Sequence, residues 1–212
     1  VYKKHTQLSA CDRGVRFFNR QSEKVIKENM FGSNSYVGAT IFPEAIQKAI
    51  EVTKEFGIGS GSVPLLTGTS IYKNELEGMI AKISGFDDAI LFSSGYTANL
   101  GVISGLVRSG NLVIHDKLDH ASLLDATILS GAKMLRYKHG DIKDLERLLK
   151  ENASVYPNGI IVVTDGVFSM DGDIARIPEI LDVTRKYNAI LLIDEAHATG
   201  VIGYKGAGTL SH

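Results

Sequence analysis

The sequence has one cysteine, no tryptophan and only 4 prolines among its 212 residues. A lone thiol, Cys11, can form neither an internal disulfide nor a thiolate metal site, so we expect a cytoplasmic protein without a metal. The 23 Lys and Arg residues balance the 24 Asp and Glu residues, which leaves no positive field for nucleic acid. No apolar run approaches the ~18–20 residues that span a bilayer. These absences argue against a disulfide-built, nucleic-acid-binding or membrane-spanning protein.

What is present is typical of a globular α/β protein. Hydrophobic residues make up 44% and charged residues 22% of the chain, with 22 glycines. The length suits one domain. We predict an N-terminal arm with the first helix at residues 1–56 and a large domain at residues 57–212. The chain begins without Met and stops soon after a glycine-rich turn, so we expect it to be a fragment of a longer enzyme.

Short apolar, β-branched runs alternate with helical segments from about residue 85, which predicts crossover units and a largely parallel sheet. The predicted strands are Ala89–Ser93, Asn111–His115, Lys133–Tyr137, Gly159–Thr164 and Ala189–Asp194. In the last two, the side chains that point to either face of the sheet are apolar, which favours central strands covered on both faces. The predicted helices are Pro43–Phe56, Asn74–Ser84, Tyr96–Arg108, Ala121–Ser130, Asp141–Asn152 and Pro178–Tyr187, with Asp141 as an N-cap. An extended stretch is expected around Phe31–Gly38.

The segment Asp194-Glu195-Ala196-His197 follows the most apolar predicted strand. A carboxylate there lies at the carboxyl edge of the sheet, where such folds bind ligands. Asp194 could hold the protonated ring nitrogen of pyridoxal phosphate, and His197 could reach a neighbouring oxygen. The alternatives are a Walker B-like acidic strand end, which the absence of a phosphate-binding G-x-x-x-x-G-K-[ST] loop disfavours, and a helix N-cap.

Three further segments stand between a predicted strand and a predicted helix. Ser93–Asn99 could bind a phosphate through small residues and free N–H groups, or could be a plain helix cap. His120, in Asp119–Ser122, could lie on an aromatic ring or could be a surface histidine. The polar run Thr164–Asp173 suits an active-site loop, or a tight turn.

The motifs occur in a fixed order and together resemble the α-oxoamine synthase family of pyridoxal phosphate-dependent enzymes. They read SSGYTANLGVISGL, DKLDHASLLDA, SGAKMLRYKHGDIKDLE, VVTDGVFSMDGDIARIPEI and LLIDEAHATGVIGYKGAG. The resemblance extends from about Phe31 to Gly208. It implies the type I aminotransferase large domain, with a mostly parallel, seven-stranded sheet and helices on both faces, and a homodimer with sites at the subunit interface.

The resemblance also implies roles for individual residues. Asp194 would pair with the pyridinium nitrogen, His197 would bond the phenolic oxygen, and His120 would stack on the ring and help to hold the amino-acid carboxylate. The phosphate would lie at Ser94, Gly95 and Tyr96. Ser169 would lie beside the ring, and Asn34, in the segment SNSYVG, would reach the substrate side.

The implied reaction condenses a small amino acid with an acyl-CoA or acyl-carrier thioester, usually with loss of carbon dioxide. In two places the sequence departs from the family pattern, because Pro64 stands where an arginine is usual and Lys73 where a histidine is usual. The lysine that binds the cofactor covalently is expected beyond His212, together with the small C-terminal domain, so we expect residues 1–212 alone to be inactive.

Three other functions remain open at this stage. A non-catalytic partner subunit without the lysine would keep the fold, although it would not need Asp194, His197 and His120. An aminotransferase of the same fold is disfavoured because the DEAH and VFSMDGD strings are closer to the synthases. A Rossmann-type nucleotide binder is disfavoured because no G-x-G-x-x-G turn follows a strand.

Overall fold

The computed structural model describes residues 5–11 and 14–212; the remaining residues of the predicted arm, 1–4 and 12–13, lie outside the described part. The chain divides into two compact units, Val1–Asn74 and Glu75–His212. Each unit has its own kind of sheet, antiparallel in the first and parallel in the second.

The first unit begins with a three-stranded antiparallel sheet that the sequence analysis did not predict. Its strands are β1 (Thr6–Gln7), β2 (Gly14–Asn19) and β3 (Lys24–Asn29), in the order β1-β2-β3. The residues of β3, KVIKEN, do not alternate strictly between apolar and polar, so the strand signal is weak. The predicted extended stretch at Phe31–Gly38 consists of bends and turns instead.

Helix α1 spans Pro43–Phe56, as predicted. It begins with proline in its first turn and ends at Gly57, whose φ of 80° is unfavourable for residues with a side chain. The glycine-rich segment that follows folds tightly on itself. A Cβ on Gly68 would lie 2.0 Å from the backbone oxygen of Ser62, so this close approach requires glycine.

The second unit is built on four parallel strands in the order β5-β4-β6-β7. The elements are α2 (Ile71–Ser84, which begins in the first unit), α3 (Gly95–Leu106), β4 (Leu112–Asp116), α4 (Ala121–Ser130), β5 (Lys133–Tyr137), α5 (Ile142–Asn152), β6 (Ile160–Asp165), α6 (Ile177–Lys186) and β7 (Ile190–Asp194). Four predicted strands and all six predicted helices are confirmed, with bounds that agree or differ by a few residues, and Asp141 is the N-cap of α5.

Alternate residues of the two central strands enter two separate cores. Leu112 and Val162 pack with α5 and α6 on one face, and Val113 and Val163 pack with α3 and α4 on the other. Every residue of β4 and β6 is buried, as expected for central strands that begin with apolar residues on both faces, and the polar residues at their carboxyl ends are buried as well. The predicted fold class, an α/β domain with a parallel sheet and helices on both faces, is confirmed.

Two strand predictions are wrong. Ala89–Ser93 forms no strand, because the backbone N–H of Leu91 donates to the side chain of Glu77, at 2.9 Å, instead of to a neighbouring strand. Strand β7 is not central: among the described residues it pairs only with β6, and Ile190 is 57% exposed. The described chain contributes four parallel strands, and the seven-stranded sheet that the resemblance implied for the whole large domain stays a prediction.

No helix in the described part of the chain is both long and apolar enough to cross a membrane.

Candidate active site

Three carboxylates lie at one edge of the parallel sheet. Asp116, Asp165 and Asp194 are the last residues of β4, β6 and β7, and Asp165 lies directly opposite Asp194 in the strand register. Parallel strands end at the same edge, and in open α/β sheets that edge is where ligands bind. The edge therefore brings carboxyl groups together at the place where a cationic group would be stabilised.

Both carboxylate oxygens of Asp194 accept a hydrogen bond. The amide nitrogen Nδ2 of Asn99 lies 2.7 Å from Oδ2, and the backbone nitrogen of Ala196 lies 2.9 Å from Oδ1. These contacts fix the carboxylate plane of a half-buried side chain. Each oxygen still has a lone pair to offer, because a carboxylate oxygen accepts more than one hydrogen bond.

A chain of hydrogen bonds leads from Asp194 to His120. Asn99 Nδ2 also donates to Ser122 Oγ at 2.9 Å, and Ser122 Oγ lies 2.7 Å from His120 Nδ1. The backbone N–H of Ser122 donates to the same Nδ1 at 3.2 Å. A backbone N–H can only donate, so Nδ1 carries a lone pair and the neutral ring has its proton on Nε2.

Asn99 and Ser122 were not assigned a role from the sequence, although both belong to quoted motifs. Asn99 follows Ala98 and precedes Leu100 in a helix of mostly small and apolar residues. An amide in such a helix needs a hydrogen-bond partner when it is shielded from water, and this is the signal that could have identified it. Which partner it would find depends on β7, 95 residues further along the chain.

Ser94 caps helix α3. Its Oγ accepts from the backbone nitrogen of Thr97 at 3.2 Å, and Thr97 Oγ1 accepts from the Ser94 nitrogen at 3.1 Å. The N–H groups of Gly95 and Tyr96 have no acceptor within the described residues. A Cβ added to Gly95 would meet no atom within 4 Å, so the helix start is open.

Tyr96 also makes a side-chain contact. Its hydroxyl donates to Asp125 Oδ2 at 2.5 Å, and this bond, more than burial, raises the pKa of the tyrosine above its ordinary value. The bond joins the first turn of α3 to α4, the helix that His120 caps. The two helices that carry Asn99, Ser94 and Ser122 are thereby tied together at this edge of the sheet.

The other predicted site residues lie outside the hydrogen-bond chain that joins Asp194 to His120. Ser169 is exposed in the turn after β6, and His197 lies half-buried in the turn after β7. Asn34 belongs to the first unit, where Tyr36 OH donates to its Oδ1 at 3.4 Å. Pro64 and Lys73 also lie in the first unit, and the oxygen of Pro64 accepts from Thr69 Oγ1 at 2.9 Å.

A buried histidine and aspartate lie beneath this edge. His115 Nδ1 is 3.1 Å from Asp119 Oδ2, and His115 Nε2 is 2.9 Å from Thr127 Oγ1. Thr127 donates its hydroxyl proton to Leu123, so it accepts from Nε2–H. Burial lowers the pKa of His115 to about 4 and raises that of Asp119 well above its usual range. Asp119 Oδ2 also accepts from the backbone nitrogen of Asp116 at 3.1 Å, so the pair is held to the end of β4.

The carboxyl group of Asp165 also has a raised pKa at this edge. Burial is the main cause that raises its pKa to about 8, and the nearby carboxylates of Asp119 and Asp194 add to the shift. The side chain of Asp119 also accepts from the backbone nitrogen of Asp165 at 3.2 Å, so the end of β6 is held to the β4–α4 turn. Burial at this edge therefore favours the neutral form of Asp165, which lies opposite Asp194.

The residues present fit the cofactor implied by the resemblance. A phosphate needs N–H donors at an open helix start, and Gly95 and Tyr96 have them. A protonated ring nitrogen needs a fixed carboxylate, and Asp194 provides one. His120 is exposed, and its Nε2 has no partner within the described residues, so the imidazole is accessible to a ligand.

A family model and several known proteins match most of this chain. A family model described as aminotransferase class I and II matches residues 27–211. The chain is 47% identical over 182 residues to a putative 8-amino-7-oxononanoate synthase of Trichodesmium erythraeum, covering 86% of this chain and 46% of that protein. It is 45% identical over 180 residues to the 8-amino-7-oxononanoate synthase of Symbiobacterium thermophilum, and this match covers 85% of this chain and 46% of that protein.

A solved structure of Sphingomonas wittichii serine palmitoyltransferase is also similar. The TM-score is 0.86 at 34% sequence identity, and the match covers 94% of this chain and 48% of that chain. The chain thus spans about half the length of the relatives it matches.

Proposed function

The chain belongs to the aminotransferase class I and II family, and from this membership we propose that it is the cofactor-binding part of an α-oxoamine synthase. Pyridoxal 5'-phosphate is the cofactor of the family. The proposed reaction is the condensation of a small amino acid with an acyl thioester. The observation that carries the proposal is the joint placement of Asp194 and His120, which share the Asn99–Ser122 hydrogen-bond chain.

The residues of this chain would divide the work of binding and orientation. The cofactor, when bound, supplies an electron sink for a carbanion at the amino acid's α-carbon. Asp194 would hold the proton of the ring nitrogen by accepting from it. The N–H groups of Gly95 and Tyr96, and the Ser94 turn, would hold the phosphate. His120, neutral and protonated on Nε2, would donate one hydrogen bond without adding a second positive charge beside a cationic ring.

The remaining predicted roles belong to the same proposal. His197 would bond the phenolic oxygen, Ser169 would lie beside the ring, and Asn34 would contact the substrate. The proposal also includes a lysine beyond His212 that binds the cofactor covalently. It includes a homodimer and a cytoplasmic location as well.

The names of the similar proteins suggest which substrates to test first. In 8-amino-7-oxononanoate, the amino-bearing carbon and its methyl group have the skeleton of decarboxylated alanine. The other seven carbons form an acyl chain that ends in a carboxylate. Alanine with a seven-carbon, carboxylate-ended acyl thioester is therefore the first substrate pair to test. Serine with a long acyl-CoA is the second pair, and it is suggested by the name of the similar serine palmitoyltransferase.

The test uses the protein as its gene encodes it, with the 212-residue chain beside it. Pyridoxal phosphate is added, the mixture is reduced with borohydride, and the modified lysine is located by mass spectrometry. Each amino acid and thioester pair is then assayed for release of free thiol. We expect a reduced lysine adduct and thiol release from the gene product, and neither from residues 1–212 alone.

Substitution of Asp194 connects this activity to the site. Asp194→Asn should weaken cofactor binding and abolish thiol release, whereas Asp171→Asn, at an exposed carboxylate on the β6–α6 turn, should change neither. A gene product without a reducible lysine would support the non-catalytic partner subunit instead. Amino-group transfer to an oxo acid without thiol release would support an aminotransferase.

A further inference from the structure

The turn that carries Ser169 is a small, self-bonded unit. Between β6 and α6, the backbone nitrogen of Phe168 donates to Asp173 O at 3.0 Å, and that of Gly172 donates to Phe168 O at 2.8 Å. An isolated antiparallel bridge joins Val167 to Ile174. Ser169 is exposed at the tip, while Phe168 is 3% exposed. The turn therefore needs an anchor that holds it to the sheet.

His139 provides a side-chain anchor from the loop after β5. Its Nδ1 lies 2.9 Å from Asp116 Oδ1 at the end of β4, and its Nε2 lies 2.9 Å from Asp173 Oδ2 in the turn. The ring also meets Phe168 edge to face, with centroids 4.6 Å apart. His139 thus bridges the Ser169 turn to the carboxyl edge of the sheet.

The number of protons in this bridge follows from the donors and acceptors. Asp116 already accepts from the backbone nitrogens of Leu118, at 2.8 Å to Oδ1, and Gly140, at 3.0 Å to Oδ2. The carboxylate therefore acts as an acceptor at both oxygens, and the proton of the Nδ1 contact belongs to the ring. The contact with Asp173 needs a second proton on Nε2. Only the imidazolium form of His139 donates to both carboxylates.

We propose that His139 is a positioning residue for Ser169: as an imidazolium it ties the Ser169 turn to Asp116, and loss of one ring proton releases the turn. The inference rests on the proposed function, since Ser169 matters there as a residue beside the cofactor. It extends that function by adding a pH-dependent support that lies outside the cofactor-binding residues.

The electrostatic surroundings support a doubly protonated ring. Burial lowers the pKa of His139, but the hydrogen bonds and negative charges of Asp116 and Asp173 outweigh it, so the pKa is raised. Arg176, at the start of α6, lines the same cavity of about 90 Å³, and its guanidinium is paired with Glu179 at 2.9 Å. Tyr137 stays neutral because burial raises its pKa. Lys138, next to His139 in sequence, is exposed to water, which screens its charge.

The first measurement needs neither cofactor nor catalysis. Imidazole ¹H–¹⁵N correlation spectra of the folded 212-residue chain, with His139→Gln for assignment, report which ring nitrogens carry protons. We expect both nitrogens of His139 to be protonated at pH 6, and to lose one proton at a higher pH than in an unfolded peptide of the same local sequence. A ring with one proton at pH 6 would overturn the proposal.

The second measurement follows the turn itself. Hydrogen exchange of the Phe168 and Gly172 amides is recorded between pH 6 and pH 9 and corrected for the intrinsic pH dependence of exchange. In the parent chain, protection should fall about tenfold for each unit of pH above the pKa of His139, until the released state is reached. His139→Gln and Asp173→Asn should remove this pH dependence, while Asp171→Asn, in the same turn, should retain it.

A purely structural role gives a different pattern. If His139 only packs against Phe168, His139→Gln lowers the melting temperature but the parent shows the same protection at every pH, and the proposal fails. In the full gene product, the ratio of pyridoxal phosphate affinities, parent over His139→Gln, should fall as the pH rises through the pKa of His139, because pH effects common to both proteins cancel in the ratio. If the cofactor does not bind at all, the proposed function fails, while the spectra and the exchange data still decide the role of His139.

Discussion

The two units of the chain use apolar residues differently. In the first unit, Val15 is the one buried hydrophobic side chain among the described residues, and α1 buries none of its residues. In the second, both faces of the parallel sheet are covered, and two separate clusters of buried side chains result. The first unit also has the most exposed large side chains, including Ile58 at 99%, Phe31 at 93% and Leu65 at 92%.

This difference teaches that local order and burial have separate causes. Helix α1 has its predicted bounds because Pro43 favours the first turn and Gly57 ends the helix, and neither effect requires a core. The strands of the second unit, in contrast, depend on helices from distant parts of the chain to cover them. Stability should therefore be concentrated in the second unit.

The largest expected effect comes from its core. Leu149→Ala, at a fully buried position on α5, should lower the free energy of unfolding by about 2–5 kcal/mol, because it leaves a cavity beneath the sheet. Ile46→Ala, at a 48% exposed position on α1, should change it by less than about 0.5 kcal/mol. Urea denaturation of both variants measures the contrast. Equal losses would show that the first unit contributes as much to stability as the second.

A smaller effect is expected at Asp165, and it depends on pH. The folded-state pKa of about 8 lies above the ordinary value of 3.8, so the folded chain binds a proton that the unfolded chain has lost between these values. The contribution of Asp165 to stability is therefore complete below about pH 4 and falls as the pH rises to about 8.

Asp165→Asn tests this dependence. The variant keeps an oxygen that can accept hydrogen bonds but cannot ionise, so at pH 9 it should be more stable than the parent by ~1–3 kcal/mol. At pH 4 the two should be nearly equal. Thermal unfolding at both pH values measures the difference, and Asp171→Asn, at an exposed carboxylate, serves as the control. A difference that is the same at both pH values would contradict the assignment.

The smallest effect concerns the helix caps. Ser94→Ala removes the hydroxyl that accepts from Thr97 N, and should lower stability by about 1 kcal/mol. Helix α1 has no side-chain cap at Phe42, so Phe42→Ser should add about 0.5 kcal/mol at most. Both changes are measured by urea denaturation. If Ser94→Ala leaves the stability unchanged while Phe42→Ser raises it strongly, helix capping contributes more to stability in the first unit than in the second, contrary to the prediction.

Much of the second unit could be predicted from the sequence. Helix α4 and strand β5 have their predicted bounds, and Asp141 caps α5, because capping residues and apolar periodicity act over a few neighbours. Ala89–Ser93 has the composition of a strand but pairs with no strand among the described residues, and it is irregular there. The sheet β1–β3 was missed for the opposite reason, since its weak local pattern is stabilised by pairing.

The site shows the same division. The positions of Asp194 at a strand end and of His120 and Ser94 at helix starts follow from the sequence, and so does the resemblance that gives them expected roles. The hydrogen bonds from Asn99 to Asp194 and Ser122 could not be predicted, nor could the bridge of His139 between Asp116 and Asp173. Each connects residues from separate elements of the chain.

The sequence by itself determined the helices and four strands of the second unit, the family, and which residue types lie at the carboxyl edge. Only the tertiary structure decided that β7 lies at the edge of the described sheet, that Asp165 holds its proton to about pH 8, and that His120 keeps a lone pair on Nδ1. The reason is physical. Helix caps and turns depend on neighbouring residues, whereas strand order, desolvation and proton position depend on groups that folding brings together from distant parts of the chain.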